Sequence, residues 1–257
     1  MGVLNTTPDS FYDGGKFNNI SDILNQVDRM LNEGATFIDV GGYSSRPGAD
    51  HVSEAEELQR VVPVAEEILK RFPETNLSID TFRSRVASAV IEVGGAIIND
   101  ISAGQLDENM LKTVGELGVP YIMMHMKGTP QNMQNHATYE NITSEVIHYF
   151  SERIAACNAH QIKDIIIDPG FGFSKTLEQN YELLNKLDLL NIIGRPILVG
   201  VSRKSMIYKL LDCSPEDALN GTTSLHTVSL LKGAKILRVH DVKEAVECVQ
   251  LINQLQA

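Results

Sequence analysis

The chain has 257 residues, and its 33 Asp and Glu against 22 Lys and Arg give a formal net charge of −11. An acidic surface repels a polyphosphate backbone, which excludes nucleic acid as a partner. With 43% hydrophobic and 21% charged residues the composition is that of a folded globular protein, and the length suits one large domain or two small ones. Cys157, Cys213 and Cys248 are odd in number and show no C-x-x-C spacing, so neither a disulfide framework nor a zinc site is expected and a reducing cytoplasm fits best. No secretory pattern opens the chain and no apolar run reaches spanning length, so no membrane partner is expected. Met1 to Thr6 matches an N-acylation pattern but reads better as a buried strand.

Taken in order, short apolar runs recur at Gly2-Leu4, Thr36-Val40, Leu77-Ile79, Ala96-Ile98, Tyr121-Met124, Ile165-Ile167, Ile197-Val199 and Ile236-Val239. Runs without polar alternation are expected of strands buried on both faces, as in a parallel sheet covered by helices. Between them lie helical patterns. Ser21 is positioned to cap a helix with Ile23, Leu24, Val27, Met30 and Leu31 on one face, and Gly34 follows its end. Ser53 to Glu56 has the form of a capping box, and Pro63 is expected to kink the helix that follows. A short helix fits between Arg83 and Val93, and longer ones over Thr143 to His160 and Ala245 to Leu255. Eight β and α units without a linker predict a (β/α)8 TIM barrel of α/β class, a single domain over 1–257 whose first strand starts at the N-terminus. A doubly wound open sheet is the alternative, weakened by the lack of a G-x-G-x-x-G turn after the first strand.

Barrel enzymes carry their reactive groups just after the strands, and here each apolar run delivers polar residues there. In order these are Asn5, Asp39, Asp80, Asn99-Asp100, His125, Asp168, Ser202-Arg203-Lys204 and Arg238 to Asp241. Asp39 and Asp100 read first as caps of the following helices. Asp80, Asn99 and Asp168 together would leave buried acceptors unmet unless a ligand with several N–H donors joins them, which describes a flat, nitrogen-rich heterocycle such as a pterin or purine edge. The cationic groups after the last two strands suit a phosphate. Loops at Thr6 to Gly15 and Gly41 to Gly48 combine glycine and proline with polar and aromatic residues, as expected of lids over a substrate. The loop from Asp168 to Phe173 offers close backbone approach and an apolar wall.

The segments MGVLNTTPDSFYDGG, GGYSSRPGA, SIDTF, IINDIS, MMHMKG, DPGFGF, SRKSM and RVHDV stand in this order on the eight predicted strands, and together they resemble the dihydropteroate synthase family from residue 1 to about residue 245. The resemblance implies condensation of 6-hydroxymethyl-7,8-dihydropterin diphosphate with p-aminobenzoate. It implies that Asp80, Asn99, Asp168 and Lys204 bind the pterin with Met124 in the same pocket, and that Asn5 ligates a Mg2+ carried by the diphosphate. Ser45, Arg46, Arg238 and His240 would hold the phosphates. Asp13 and Arg46 would act from closing lids, making Asp13, Arg46, Lys204, Arg238 and His240 the implied catalytic set. Phe11, Pro47, Phe173, Lys204 and Ser205 would shape the p-aminobenzoate site. The family is usually homodimeric, and Tyr43 and Ser45 replace a Glu and a Thr found in many members. A pterin-dependent methyltransferase is the nearest rival activity, but it has no use for a diphosphate clamp. A catalytically silent pterin-binding barrel would not need Asn5, Arg46, Lys204, Arg238 and His240. A metal site on His125 and His136 is disfavoured because His125 lacks a partner at ligand spacing.

Overall fold

A computed structural model describes residues 1–6, 20–43 and 52–256. Eight strands form one curled, all-parallel sheet in sequential order. They are β1 Gly2–Asn5, β2 Phe37–Gly41, β3 Asn76–Asp80, β4 Ile97–Asp100, β5 Tyr121–Met124, β6 Ile165–Asp168, β7 Ile197–Val199 and β8 Ala234–Leu237. Each is separated from the next by helix: α1 Ile20–Asn32, α2 Glu54–Arg71, α3 Ser84–Glu92, α4 Met110–Leu117, α5 Ile142–Ala159, α6 Leu177–Asn185, α7 Ser205–Leu211, α8 Leu219–Leu231 and, last, α9 Val242–Gln256. Beyond β8, Gly2 pairs in parallel with Val239, and the Val3 N–H donates to the Val239 carbonyl at 3.0 Å.

Several local expectations need correction. The eighth strand starts at Ala234, two residues before the apolar run, because exposed Lys235 sits at a register shift opposite Ile197 and Leu198 and interrupts the pattern. Ser21 lies inside α1, which already includes Ile20. Ser53 does cap α2 and accepts the Glu56 N–H, and Pro63 lies within that helix. Asp39 caps no helix: it lies within β2, and α2 takes its cap from Ser53. Asp100 instead ties down the turn after β4, accepting from the N–H groups of Ser102 and Gly104 and from the Tyr121 hydroxyl at 2.6 Å.

The sheet has two different faces. Its outer face contributes Ile38, Val40, Leu77, Ile79, Ile98, Tyr121, Met123, Ile165, Ile167, Ile197 and Val199 to the core beneath the helices. Alternate residues face inward, as the period of two requires. Near the strand starts these are apolar, and Phe37, Ile97, Ile122, Ile166, Leu198 and Ile236 pack into a separate cluster. One pair further along each strand, the inward positions become Asp39, Asp80, Asn99, Met124 and Asp168. The apolar cluster is thus a floor, and the polar residues stand on it at the carboxyl ends.

Candidate active site

The inward polar residues ring one end of the sheet, and Ser78, Asp39, Asn99, Arg238 and Asp80 are joined there by hydrogen bonds. Asp39 is fully buried; its Oδ1 accepts from the Ser78 hydroxyl at 2.6 Å, and its Oδ2 accepts from Asn99 Nδ2 at 3.0 Å and from Arg238 Nε at 2.6 Å. Arg238 also donates to Asp80 Oδ2 at 2.7 Å. The guanidinium thereby bridges two carboxylates that β2 and β3 deliver side by side, since Asp39 stands opposite Ser78 and Asp80 opposite Asn99. Burial pushes the Asp80 carboxyl up to about 7, against the pull of the Arg238 charge and with help from Asp39. Burial pulls Arg238 down, but the charges of Asp39 and Asp80 outweigh it and hold the guanidinium above its ordinary value.

Across the ring, Asp168 ends β6 and accepts the Gly170 N–H at 2.8 Å. Burial raises its carboxyl above the usual range, partly offset by the Lys204 ammonium. Lys204 precedes α7, donates to the Phe171 carbonyl and lies 4.8 Å from the centre of the Phe173 ring. Burial lowers this ammonium to about 8, although Asp168 pulls the other way. Met124 is buried with Ile101, Met126 and Met133, with Phe82, Leu106 and Phe173 packed against them. An apolar wall therefore stands beside the polar ring.

The structure brings Asp80, Asn99, Met124, Asp168, Phe173, Lys204 and Arg238 to one end of the sheet. Asn5 ends β1, half-buried, and Ser205 begins α7. His240 is exposed, and its N–H donates to the Ser202 hydroxyl at 3.2 Å. Phe11, Asp13, Ser45, Arg46 and Pro47 lie outside the described residues. Tyr43, at the near end of the second loop, is buried edge-on to Phe82 with ring centres 5.1 Å apart, and its hydroxyl accepts from Gln131 Nε2.

Two expectations about charge change. Arg203 looks like part of a phosphate clamp, but its Nε and one terminal nitrogen hold Asp241 at 2.8 and 2.9 Å, and its other terminal nitrogen meets the carbonyls of Pro215 and Glu216. It ties the β7 loop to the start of α9. The cationic groups expected to suit a phosphate are also balanced among the described residues, where Asp39, Asp80 and Asp168 stand at the same end of the sheet as Arg238 and Lys204. Sequence reasoning missed Lys175 altogether. This buried ammonium donates to the carbonyls of Gly170 at 2.9 Å and Phe173 at 3.0 Å and meets His125 Nδ1 at 3.0 Å, so it fastens the loop that carries Asp168 and Phe173. His125 is buried edge-on to Tyr149, and no cluster of three or more acidic, His or Cys ligands occurs among the described residues. No helix among those residues is long and apolar enough to cross a membrane.

A family profile described as pterin binding enzyme matches residues 1–240. The chain is 46% identical over 254 residues to the dihydropteroate synthase of Escherichia coli strain K12, covering 98% of this chain and 89% of that protein. A solved Yersinia pestis dihydropteroate synthase in complex with a sulfonamide drug superposes with a TM-score of 0.93 at 43% identity, over 99% of this chain and 93% of that one. The Xanthomonas albilineans enzyme solved with 7,8-dihydropteroate gives 0.89 at 35% identity, over 100% and 92%. The curled parallel sheet and the profile match over residues 1–240 make the chain a pterin-binding enzyme. Within that class the chain belongs to the dihydropteroate synthase family.

Proposed function

We propose that the chain condenses 6-hydroxymethyl-7,8-dihydropterin diphosphate with p-aminobenzoate, giving 7,8-dihydropteroate and diphosphate in folate biosynthesis. The observation that carries this reading is the ring of buried acceptors, Asp80, Asn99 and Asp168, standing beside Arg238 and Lys204 on an apolar floor. Each of the three keeps one side-chain oxygen that takes no hydrogen bond from a described residue, and such acceptors beside cations suit a ligand that offers donors at one end and negative charge at the other. Relatives solved with 4-aminobenzoic acid and with 7,8-dihydropteroate support the same pair of substrates.

The curled sheet is read as a closed (β/α)8 barrel forming one domain, with the Gly2 and Val239 pairing in support. Asp80, Asn99 and Asp168 take the N–H donors of the dihydropterin. Asp80 exchanges its Arg238 bond for the ligand, and Arg238 keeps Asp39 while turning its released nitrogen to the diphosphate. Lys204 and His240 meet the ligand from the last two strands, with Ser45 and Arg46 on the phosphates and Asp13 on the first loop. Phe11, Pro47, Phe173 and Ser205 shape the p-aminobenzoate pocket.

Asn5 supplies a hard amide oxygen and no carboxylate cage surrounds it among the described residues, a donor set that suits a Mg2+ held mainly by substrate phosphate oxygens. When bound, Mg2+ supplies neutralising charge to the diphosphate. The carbon–oxygen bond to diphosphate breaks first, in a dissociative step, because a neutral arylamine is a weak nucleophile. Arg238 and Lys204 stabilise the negative charge that grows on the leaving oxygens, while the fixed dihydropterin ring delocalises the positive charge on its methylene. The arylamine nitrogen then bonds to that carbon and loses its proton. Binding is ordered, pterin diphosphate first. The enzyme works as a homodimer in the cytoplasm.

The test is diphosphate release measured with each substrate alone and with both together. Release is expected only with both, and release with water alone would overturn the assignment. In titration calorimetry p-aminobenzoate is expected to bind the diphosphate complex and not the free enzyme; equal affinity for the two would rule out the ordered scheme.

A further inference from the structure

Asp39 is the most connected member of the ring, yet it is completely buried and is not among the groups assigned to any ligand above. Its Oδ1 takes Ser78, and its Oδ2 takes both Asn99 Nδ2 and Arg238 Nε. A carboxylate paired with a guanidinium accepts hydrogen bonds and donates none. The Asn99 amide therefore has a single permitted orientation, because a half-turn would set its oxygen against Asp39 Oδ2 in place of the nitrogen now at 3.0 Å. The amide oxygen is left as an acceptor, and it receives no hydrogen bond from any described residue although Asn99 is only 4% exposed. An asparagine that is free to turn would present a donor or an acceptor with equal ease. Here the polarity is dictated from behind.

We infer that Asp39 is a positioning residue that, through its buried hydrogen bond to Asn99, holds the Asn99 amide oxygen toward the ligand and so selects a heterocycle that presents an N–H donor at that point. The inference rests on the reading of the ring as a pterin site. It adds that recognition at Asn99 is set one residue deeper than the contact surface, by a group that never touches the ligand. Preorganisation of this kind saves the entropy and desolvation otherwise spent in turning the amide as the ligand arrives.

The experiment is a double-mutant cycle read by calorimetric titration with 6-hydroxymethylpterin, which carries the heterocycle without the diphosphate. The Asp39→Asn side chain offers Asn99 either an oxygen or an NH2 group, so the single orientation is lost while the volume is kept. Asp39→Asn is expected to weaken binding roughly 10- to 100-fold, and Asn99→Ala by a similar factor. If Asp39 acts through Asn99, the double variant binds no more than about threefold more weakly than the weaker single variant. A double variant in which the two losses multiply would overturn the inference, as would unchanged affinity in Asp39→Asn. No binding by the unmodified protein would overturn the pterin reading itself, a separate and recognisable result. Should Asp39→Asn fail to fold, the side-chain amide signals of Asn99 in the unmodified protein decide the matter. The carboxylate-bonded proton is expected to keep its chemical shift when 6-hydroxymethylpterin is added, and loss of that signal through an amide flip would overturn the inference.

Discussion

Lys175 and Lys204 grip the same loop, 168–175, from two sides, and they differ in how much of each ammonium the protein uses. Lys175 donates to Gly170 O, Phe173 O and His125 Nδ1 within 3.0 Å, with His125 O at 3.5 Å, so its three protons are committed. Lys204 donates to Phe171 O and has no second acceptor among the described residues. Burial lowers both, Lys175 to about 7 and Lys204 to about 8, with Asp168 opposing the shift in each case. Shifts in the same direction thus hide unequal roles. A saturated ammonium belongs to the frame, and one with protons to spare belongs to the ligand.

The largest expected effect separates these roles directly. Lys204→Met should lower kcat/KM by about 100-fold or more, the scale seen when one charge-stabilising donor is removed, with little change in melting temperature. Lys175→Met should do the reverse in order of severity, costing about 3 kcal/mol of stability because buried carbonyls lose their donor, with the activity loss following from a loosened loop. Thermal unfolding and steady-state kinetics on both variants would break the comparison if the two profiles were alike.

A subtler effect is in pH. A lysine whose folded value is about 7 against an ordinary 10.5 binds fewer protons folded than unfolded between those limits. Its burial penalty is therefore complete below about pH 7 and is relieved as pH rises toward 10.5. The melting temperature of the unmodified protein should gain relative to Lys175→Met as pH goes from 7 to 9, by about 3 °C per unit. A constant difference would mean that Lys175 does not titrate there. The smallest effect should come from Tyr139→Phe, which removes a hydroxyl donated to Ser174 O at 3.0 Å and is expected to cost under about 1 kcal/mol while leaving kcat within twofold. A larger kinetic change would show that the far end of the loop is held less firmly by Lys175 than its bonds imply.

The fold was legible because each strand is apolar on both faces for most of its length, and a polar residue appears only where the inner face leaves the floor. That transition located Asp80, Asn99, Asp168 and Arg238. β8 begins two residues before its apolar run, because Lys235 breaks the run at the irregular pairing. α8 mixes Leu and Val with Thr, Ser, His and Asn and buries Thr222, His226 and Ser229, so no apolar face marks it in the sequence. Asp39 looked like a cap because its true partners are 39, 60 and 199 residues away in sequence, and only curling of the sheet brings them to one carboxylate. Lys175 gave no signal, since lysine after a glycine-rich loop ordinarily points to solvent. Arg203 gave a false one, because its partner Asp241 lies 38 residues on, across the start of another helix.

The two faces of each strand set limits on how the gene of such a protein can vary. In β3, Ser78 and Asp80 face inward while Leu77 and Ile79 lie under the helices. Inserting or deleting one codon within the strand would slide Ile79 into the ring and bury Asp80 against α2 and α3, exchanging ligand groups for hydrocarbon in a single event. Substitutions can adjust this site one residue at a time, whereas changes of length are confined to the loops. Lineages of such chains should therefore keep their strands at fixed length while the connections between them grow and shrink.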